Sequence, residues 1–459
     1  MSERLLSVGL DVGTTSSQMI LSELAIENRA SSFAVPEMEI AERKVLYKSP
    51  VHFTPLLDES HVDGAALRVI VEEEYRRAGI QRDQVDTGAI IITGETSRKE
   101  NARVVLEALA DFAGDFVVAT AGPDLDSVLA AKGAGAVDHS LGTGKTVLHM
   151  DIGGGTSNLA LIRDGKILET GCLNVGGRLL KFDKDGGVTY VSPVLQGLCS
   201  LKVGEKAEQA QVEDIARLLA EVLEMAAGRR KKTELLERLT TVEGSTMHRF
   251  DGIAPAAPII SFSGGVADCI QRDVPWLEYG DMGPLLGRAI RESRLCREDY
   301  VLGSETIRAT VIGAGCHSAQ LSGSTVFHQN VAFPLKNVPV VNIPAELQEE
   351  GLTAAIRREL AKQEGMAVIA MPGLISPSYA QVGMLAEEIA AAVGGRQVMV
   401  CLEQDMAKAL GQALALRLGR DAGILCLDRV KIGEGSYLDV GAPVGPAMPV
   451  VVKTLVLGK

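Results

Sequence analysis

The chain is written in short apolar runs separated by glycine-rich or charged turns. Val147 to Ile162 shows this most clearly: an apolar run carrying Asp151, then Gly153, Gly154, Gly155 and Thr156, then a second apolar run containing Asn158. Runs of four to eight apolar residues bounded by glycines predict buried strands, and two joined by such a turn predict a hairpin. Ser7 to Leu21 repeats the design, with Asp11 before the turn and Gly13, Thr14 and Thr15 in it. Helices announce themselves by wider spacing. Leu67, Ile70, Val71 and Tyr75 share one face between a capping Asp63 and a terminating Gly79, and Val212, Ile215, Leu219 and Val222 mark a longer amphipathic helix over 211–227. Further strands are expected over 87–93, 116–120 and 259–263, with a helix ending at Phe112 and two helices of small residues over 125–135 and 307–321. Beyond residue 330 the pattern reads strand 367–371, helix 380–393, strand 397–402, helix 405–418, then strands around Ile424, Tyr437 and 450–457. Strands alternating with helices in this way predict an α/β protein.

At 459 residues there is room for several cores. A net charge of −13 argues against nucleic acid or an anionic membrane surface as partner. No apolar run approaches the ~18 residues of a spanning helix, and no secretory signal pattern is visible, so a cytoplasmic location is expected. The seven cysteines are scattered without a C-x-x-C pair and read as reduced, buried thiols; the seven histidines have no metal-ligand spacing.

Chemistry concentrates at the glycine turns. Successive glycines let backbone approach an anion, because no Cβ intervenes and positive φ costs little. Two hairpins, each with an aspartate before the turn and hydroxyls in it, suggest two half-domains facing one nucleotide, with amides and hydroxyls for phosphates and carboxylates for Mg²⁺. A third glycine pair, Gly264 and Gly265, follows the 259–263 strand and would let an adenosine lie against bare backbone. The turn Gly94-Glu95-Thr96-Ser97 fits an anion site or a plain helix cap equally. Leu141-Gly142-Thr143-Gly144-Lys145-Thr146 looks like a P-loop but is rejected, because His139 stands where glycine is required and a strand follows instead of a helix. Arg229 to Lys232 reads as a solvated helix terminus, and Asp405 as the cap of the helix that it begins.

In the order Asp11-Val-Gly-Thr-Thr, small-residue helix, Asp151-Ile-Gly-Gly-Gly-Thr, Ser263-Gly-Gly, small-residue helix, the elements resemble the phosphate-1, connect-1, phosphate-2, adenosine and connect-2 signatures of the actin, sugar-kinase and heat-shock chaperone ATPase superfamily. That covers the first two-thirds of the chain. Phe53 to Leu57, Ile91 to Ala102, Asp151 to Leu161, Cys172 to Leu180 and Val451 to Leu457 together resemble the ethanolamine ammonia-lyase reactivating factors, over most of the chain. The resemblance implies an actin-like, ribonuclease H-like α/β fold: half-domains 1–135 and 136–330 around a nucleotide cleft, and a C-terminal α/β region 331–459. It implies a chaperone-like ATPase that uses ATP and Mg²⁺ to open ethanolamine ammonia-lyase, so that damaged cobalamin leaves and intact adenosylcobalamin enters. Neither nucleic acid nor membrane is an expected partner, a microcompartment association is allowed, and homo-oligomerisation is left open.

Carried over residue by residue, Asp11 and Asp151 would be catalytic and hold Mg²⁺ through water. Gly13, Thr14, Thr15, Gly153, Gly154, Gly155, Thr156, Asn158, Gly264 and Gly265 would bind the nucleotide. Two departures stand out. Asn158 replaces an aspartate of the chaperones, and Gly122 stands where a glutamate is usual, which leaves the general base unassigned and predicts slow turnover. A metabolite kinase and an actin-like scaffold are the competing readings.

Overall fold

The computed structural model describes residues 3–13, 16–28, 38–58, 61–92, 105, 109, 123–241, 258–303, 305–317, 319–322, 325–344, 351–363, 365–395, 397–430, 432, 437–441, 443 and 448–453. Thr14, Thr15, the 94–97 turn and the expected strand at 116–120 lie outside the described residues.

Two sheets share one design. In the first, β1 (Glu3–Val12), β2 (Ser16–Asn28) and β3 (Met38–Lys48) form an antiparallel meander, β5 (Thr87–Ile92) joins β1 in parallel, and the two-residue β4 (His52–Phe53) pairs with β2. In the second, β6 (Val147–Ile152), β7 (Ser157–Arg163) and β8 (Lys166–Leu173) make the meander, β11 (Ile259–Ser263) joins β6 in parallel, and β12 (Tyr300–Leu302) extends the far edge. Every residue of β5 and β6 is buried. That is why these strands read as unbroken apolar runs and not as alternation. A small ribbon of β9 (Leu180–Phe182) and β10 (Val188–Val191) follows the second meander.

On the first sheet α1 (Gly64–Ala78) packs as expected: the Asp63 carboxylate accepts from the Ala66 amide at 2.9 Å, and Gly79, at φ 69°, ends the helix. Leu67, Val71 and Tyr75 meet Leu10, Met19 and Ile90 in a core that also takes Val105 and Leu109. The second core is larger. It lies between the sheet and the helices that follow it in the chain, chiefly Gln209–Ala226 and Gly283–Glu292. Arg229 and Arg230, expected to be simply solvated, pair with Glu298 and with Glu221 and Glu224.

The two small-residue helices join the halves by exchange. The first, α2 (Pro123–Gly133), lies against β6, β7 and β8, whereas its counterpart (Ala309–His317) lies against β1, β2 and β5. The helices also cross each other with backbone nearly touching: a Cβ on Gly133 would stand 1.9 Å from the Ala309 carbonyl oxygen, and one on Gly313 2.0 Å from that of Leu129. The Ser7 hydroxyl donates to the Gly315 carbonyl at 2.5 Å, pinning the second helix to β1. Between α2 and β6, α3 (Ala136–Thr143) ends on Gly144 at φ 66°; the rejected P-loop look-alike is this helix terminus.

The remaining sheet has β15 (Leu335–Asn342), β16 (Val368–Met371), β17 (Val398–Leu402) and β18 (Ile424–Asp428) parallel and in sequence. The helices Leu352–Leu360, Tyr379–Val393 and Ala407–Leu418 connect them. At its margins β13 (Ala319–Leu321), β14 (Phe327–Gln329), β19 (Tyr437–Val440) and β20 (Pro449–Lys453) complete eight strands. One expectation fails here. Asp405 does not cap the 407–418 helix: Asp428, at the end of β18, accepts from the Met406 and Ala407 amides at 3.1 and 2.9 Å, while Asp405 bonds Thr325 and Arg429. The carboxylate at a strand end can be reached from the neighbouring crossover, a relation that chain order does not reveal.

Candidate functional site

The two meander hairpins are built alike down to single hydrogen bonds. Gly13 N donates to Ser16 O at 2.9 Å, and Gly153 N donates to Thr156 O at 2.9 Å. In the strand registers Asp11 faces Gln18, and Asp151 faces Asn158. Ser16 is therefore the positional counterpart of Thr156, and Gln18 that of Asn158. Neither Ser16 nor Gln18 was singled out from the sequence, although laying the two hairpins side by side from the aspartate onward would have found both.

Between the halves lies a cavity of about 430 Å³, within the usual ligand-pocket range of roughly 300–1,000 Å³. Asp11, Gly13, Asp151, Gly153, Gly154, Gly155, Thr156, Asn158, Gly264 and Gly265 all line it. The two aspartates, from different sheets, thus face one space. Thr14 and Thr15 are outside the described residues. Residues not foreseen also line it, among them Ser16, Gln18, Asp126, Arg178, Asp268 and Thr310.

Glycine is required here for two different reasons. Gly264 has φ 88°, and a Cβ there would stand 2.3 Å from the Ile152 carbonyl oxygen, so its constraint is the packing of β11 against β6. Gly265 has only the Ile307 side chain within 4 Å, and it is this second glycine that offers bare backbone to the cavity. A Cβ on Gly176 would strike the Gly154 carbonyl oxygen at 2.3 Å; the neighbouring Gly177 and Arg178 amides donate to Gly153 O and Gly154 O at 2.9 and 2.7 Å, bracing the triple-glycine turn.

Electrostatically the cavity is acidic. Among the described lining residues, Asp11, Asp126, Asp151, Asp268 and Asp281 face one guanidinium, that of Arg178. Arg178 Nε donates to Asp281 at 3.0 Å, and its guanidinium lies 6.0 Å from the centre of the Phe53 ring, which belongs to the other half. Burial pushes Asp281 up, against the pull of the Gly283 amide and of Arg178. Asp151 is pushed up to about 6 by burial, with hydrogen bonds from the Ser263 and Thr310 hydroxyls holding it down in part. Behind it, on the same face of β6 two residues away, sits His149, which is wholly buried; burial lowers its pKa to about 3. His149 was dismissed on the sequence for lack of metal spacing. Its period-two relation to Asp151 was the available signal.

Polar bonds cross from the first half to the turn at 305–308: Gln18 Nε2 donates to Ile307 O at 3.1 Å, Arg308 donates to Ser49 O at 3.1 Å, and Lys48 pairs with Glu305. The same turn accepts from Gly264 N through Thr306 O at 3.0 Å, while the Thr306 hydroxyl donates to Asp268 at 2.5 Å. Among the described residues no three His, Cys, Asp or Glu side chains cluster closely enough to hold a metal ion, and no helix is long and apolar enough to cross a membrane.

Comparison with known proteins bears on this site. A family model described as "Ethanolamine utilisation protein EutA" matches residues 3–458. Two proteins named "Ethanolamine ammonia-lyase reactivase EutA", from Salmonella typhimurium and Escherichia coli, are each 38% identical over 475 residues, covering 99% of this chain and 99% of theirs. Among solved structures, the Aquifex aeolicus PPX-GPPA enzyme is similar at 12% identity and a TM-score of 0.42, over 68% of this chain and 99% of that one.

Proposed function

The chain belongs to the EutA family of ethanolamine utilisation proteins, and on that premise we propose that it is an ATP-driven reactivase of ethanolamine ammonia-lyase, opening that enzyme so that damaged cobalamin departs and intact adenosylcobalamin enters. The observation that carries the nucleotide part is the convergence of Asp11 and Asp151, from matched hairpins of two sheets, on one glycine-lined cavity.

The residues present fit a magnesium nucleotide. Among the described residues a triphosphate would meet five carboxylates and one guanidinium, a repulsion that a divalent cation would offset. Mg²⁺ keeps most of its waters and takes one or two carboxylates plus phosphate oxygens, so no preformed cage of three side chains is required. Asp11 and Asp151 would hold the hydrated ion from opposite sides. When bound, it neutralises charge on the phosphates and polarises them toward attack by water. The turns at Gly13 and at Gly153 to Gly155 would present amides to the phosphates, with the Thr156 hydroxyl and the Asn158 amide beside them, and Gly265 would border the adenosine. With Asn158 and Gly122 standing where related ATPases carry carboxylates, turnover would be slow, as suits a switch.

Work on a partner requires that nucleotide state alter the relation of the halves. The 305–308 turn is placed to carry this, since it is bonded both to Gly264 and to Gln18 and Ser49 of the first half. A change of ligand at Gly264 and Gly265 therefore shifts the bonds that hold β2 and β3, and the crossed helices provide the pivot.

The test is to incubate the protein, ATP, Mg²⁺ and fresh adenosylcobalamin with cyanocobalamin-blocked lyase and measure deamination. Recovery that is lost on omitting ATP and lost in Asp11→Ala and Asp151→Ala supports the reading. ATP consumption that starts only when a small polyol or acid is added, with no recovery of the lyase, would identify a kinase instead.

A further inference from the structure

Four side chains form one buried line running from the cavity into the second sheet. Ser263 Oγ is bonded to Asp151 Oδ1, His149 Nε2 lies 3.0 Å from Ser263 Oγ, and His149 Nδ1 lies 3.1 Å from Ser261 Oγ. The exposures of His149, Ser261 and Ser263 are 0%, 1% and 0%. The register explains the alignment: β6 and β11 run parallel with His149 opposite Ser261 and Asp151 opposite Ser263, so the inward-facing positions of two adjacent strands alternate serine, histidine, serine, aspartate.

The direction of every proton in this line follows from its end. A carboxylate only accepts, so Ser263 must donate to Asp151. The Ser263 oxygen then accepts from His149 Nε2–H. The neutral ring has its other nitrogen unprotonated, so Nδ1 accepts from the Ser261 hydroxyl. One tautomer alone satisfies the chain.

We infer that His149 and Ser263 are positioning residues for Asp151: the buried imidazole's Nε2–H commits the Ser263 hydroxyl to Oδ1 and so fixes how the carboxylate meets the metal-bound nucleotide. Among the described residues the imidazole has the two serine hydroxyls as the partners of its nitrogens, one on each side. Its worth is that it is both donor and acceptor along one line, which neither an apolar side chain nor a lysine can be. In so dry a place each bond polarises the next, and an ordered chain holds the carboxylate more firmly than the serine alone would.

This inference rests on the magnesium-nucleotide reading above, and its test separates the two. In the full-length protein, two-bond proton–nitrogen NMR of ¹⁵N-labelled histidine reads the tautomer with no nucleotide present. The expected result is an unprotonated Nδ1 and a protonated Nε2 for the resonance lost in His149→Gln; an Nδ1–H tautomer overturns the inference. The second arm measures binding of a fluorescent ATP analogue with and without Mg²⁺ and uses unfolding temperature to select folded variants. Ser263→Ala is expected to weaken Mg²⁺-dependent binding about tenfold, the usual worth of a hydrogen bond to a charged group, and to leave metal-free binding unmoved. Ser263→Thr recovers most of the loss, and His149→Phe lowers the same Mg²⁺-dependent binding without adding to Ser263→Ala. Equal losses with and without Mg²⁺, or additive losses in the double variant, refute positioning. If the wild-type protein binds no nucleotide, the magnesium-nucleotide reading itself falls, and with it the role assigned to these two residues.

Discussion

Replacing Gly313 by alanine tests the crossing of the two small-residue helices directly. The added Cβ would sit 2.0 Å from the carbonyl oxygen of Leu129, 2.6 Å from its carbonyl carbon and 2.9 Å from its Cα. All three are backbone atoms of a helix, so no side chain can swing aside. To restore the 3.4 Å at which ordinary contact begins, the helices must part by about 1.4 Å. Overpacking a well-packed contact typically costs about 1–3 kcal/mol. Because backbone must move and cannot repack, we expect a loss near the upper end, about 3 kcal/mol, in Gly313→Ala. The parting also disturbs the pivot of the cleft, so affinity for the fluorescent ATP analogue should fall along with the unfolding midpoint. Gly142→Ala is the control. It lies in the 136–143 helix with nothing within 4 Å of its added Cβ, and alanine there should be neutral or stabilising by up to about 1 kcal/mol. Urea unfolding of both variants at one pH decides the matter. A Gly313→Ala protein as stable as Gly142→Ala, with unchanged nucleotide affinity, would refute the close crossing and the pivot built on it.

Other outcomes follow from the same geometry. Asp151 titrates near 6 in the folded protein against 3.8 ordinarily; a raised carboxyl pKa adds stability that is present at low pH and lost as pH rises through about 6. The nucleotide-free protein should therefore gain up to about 3 kcal/mol from this group between pH 7 and pH 4, a gain absent from the pH dependence of Asp151→Asn when urea midpoints are compared. Mg²⁺-dependent nucleotide binding should run the opposite way, weakening as pH falls through 6 because the ion needs the carboxylate. In the C-terminal sheet Asp428→Ala strips the buried Met406 and Ala407 amides of their acceptor, while Thr325 keeps Asp405, and should cost about 2–3 kcal/mol. By contrast Asp405→Ala, whose ion pair with Arg429 is partly exposed, should cost under about 1 kcal/mol; equal losses on urea unfolding would overturn the assignment of the cap. Burial pushes the Cys269, Cys296 and Cys401 thiols up to about 12. Iodoacetamide at pH 8 should thus leave these three unmodified in the native protein and alkylate them on unfolding, as peptide mass spectrometry would show.

Much of this was legible in the chain itself, and the boundary of what was not has a physical cause. Hairpins are local, so Asp11, Gly13, Asp151, the triple glycine and Asn158 could be found from contiguous residues, and all of them line one cavity. The caps of α1 were readable for the same reason. What escaped depends on contacts between distant segments. Ser263 bonds Asp151 across 112 residues of sequence, and Gln18 reaches Ile307 across 289. Such partners are fixed by which strand lies beside which, and β11 lies beside β6 although residues 153–258 separate them in the chain. The helix cap was misassigned likewise: Asp405 is nearer in sequence, but Asp428 is nearer in space because β18 ends beside the 407–418 helix. Gly264 was read for what it offers a ligand, whereas its neighbour Ile152 gives the stronger reason for having no side chain there.

The exchange of the two crossing helices also governs how the polypeptide can be made. Among the described residues, the face of β1 and β2 around Gly9 and Ile20 is covered by Val311, Ile312 and Gly315 of the 309–317 helix. A ribosome must complete roughly two-thirds of the message before that cover emerges, so the native packing of Gly9 and Ile20 waits on it. Cutting the gene between α3 and β6 would leave each fragment with a sheet face stripped of its helix and a helix whose sheet is in the other fragment. Only a single continuous translation product, or both pieces made together, can close the molecule.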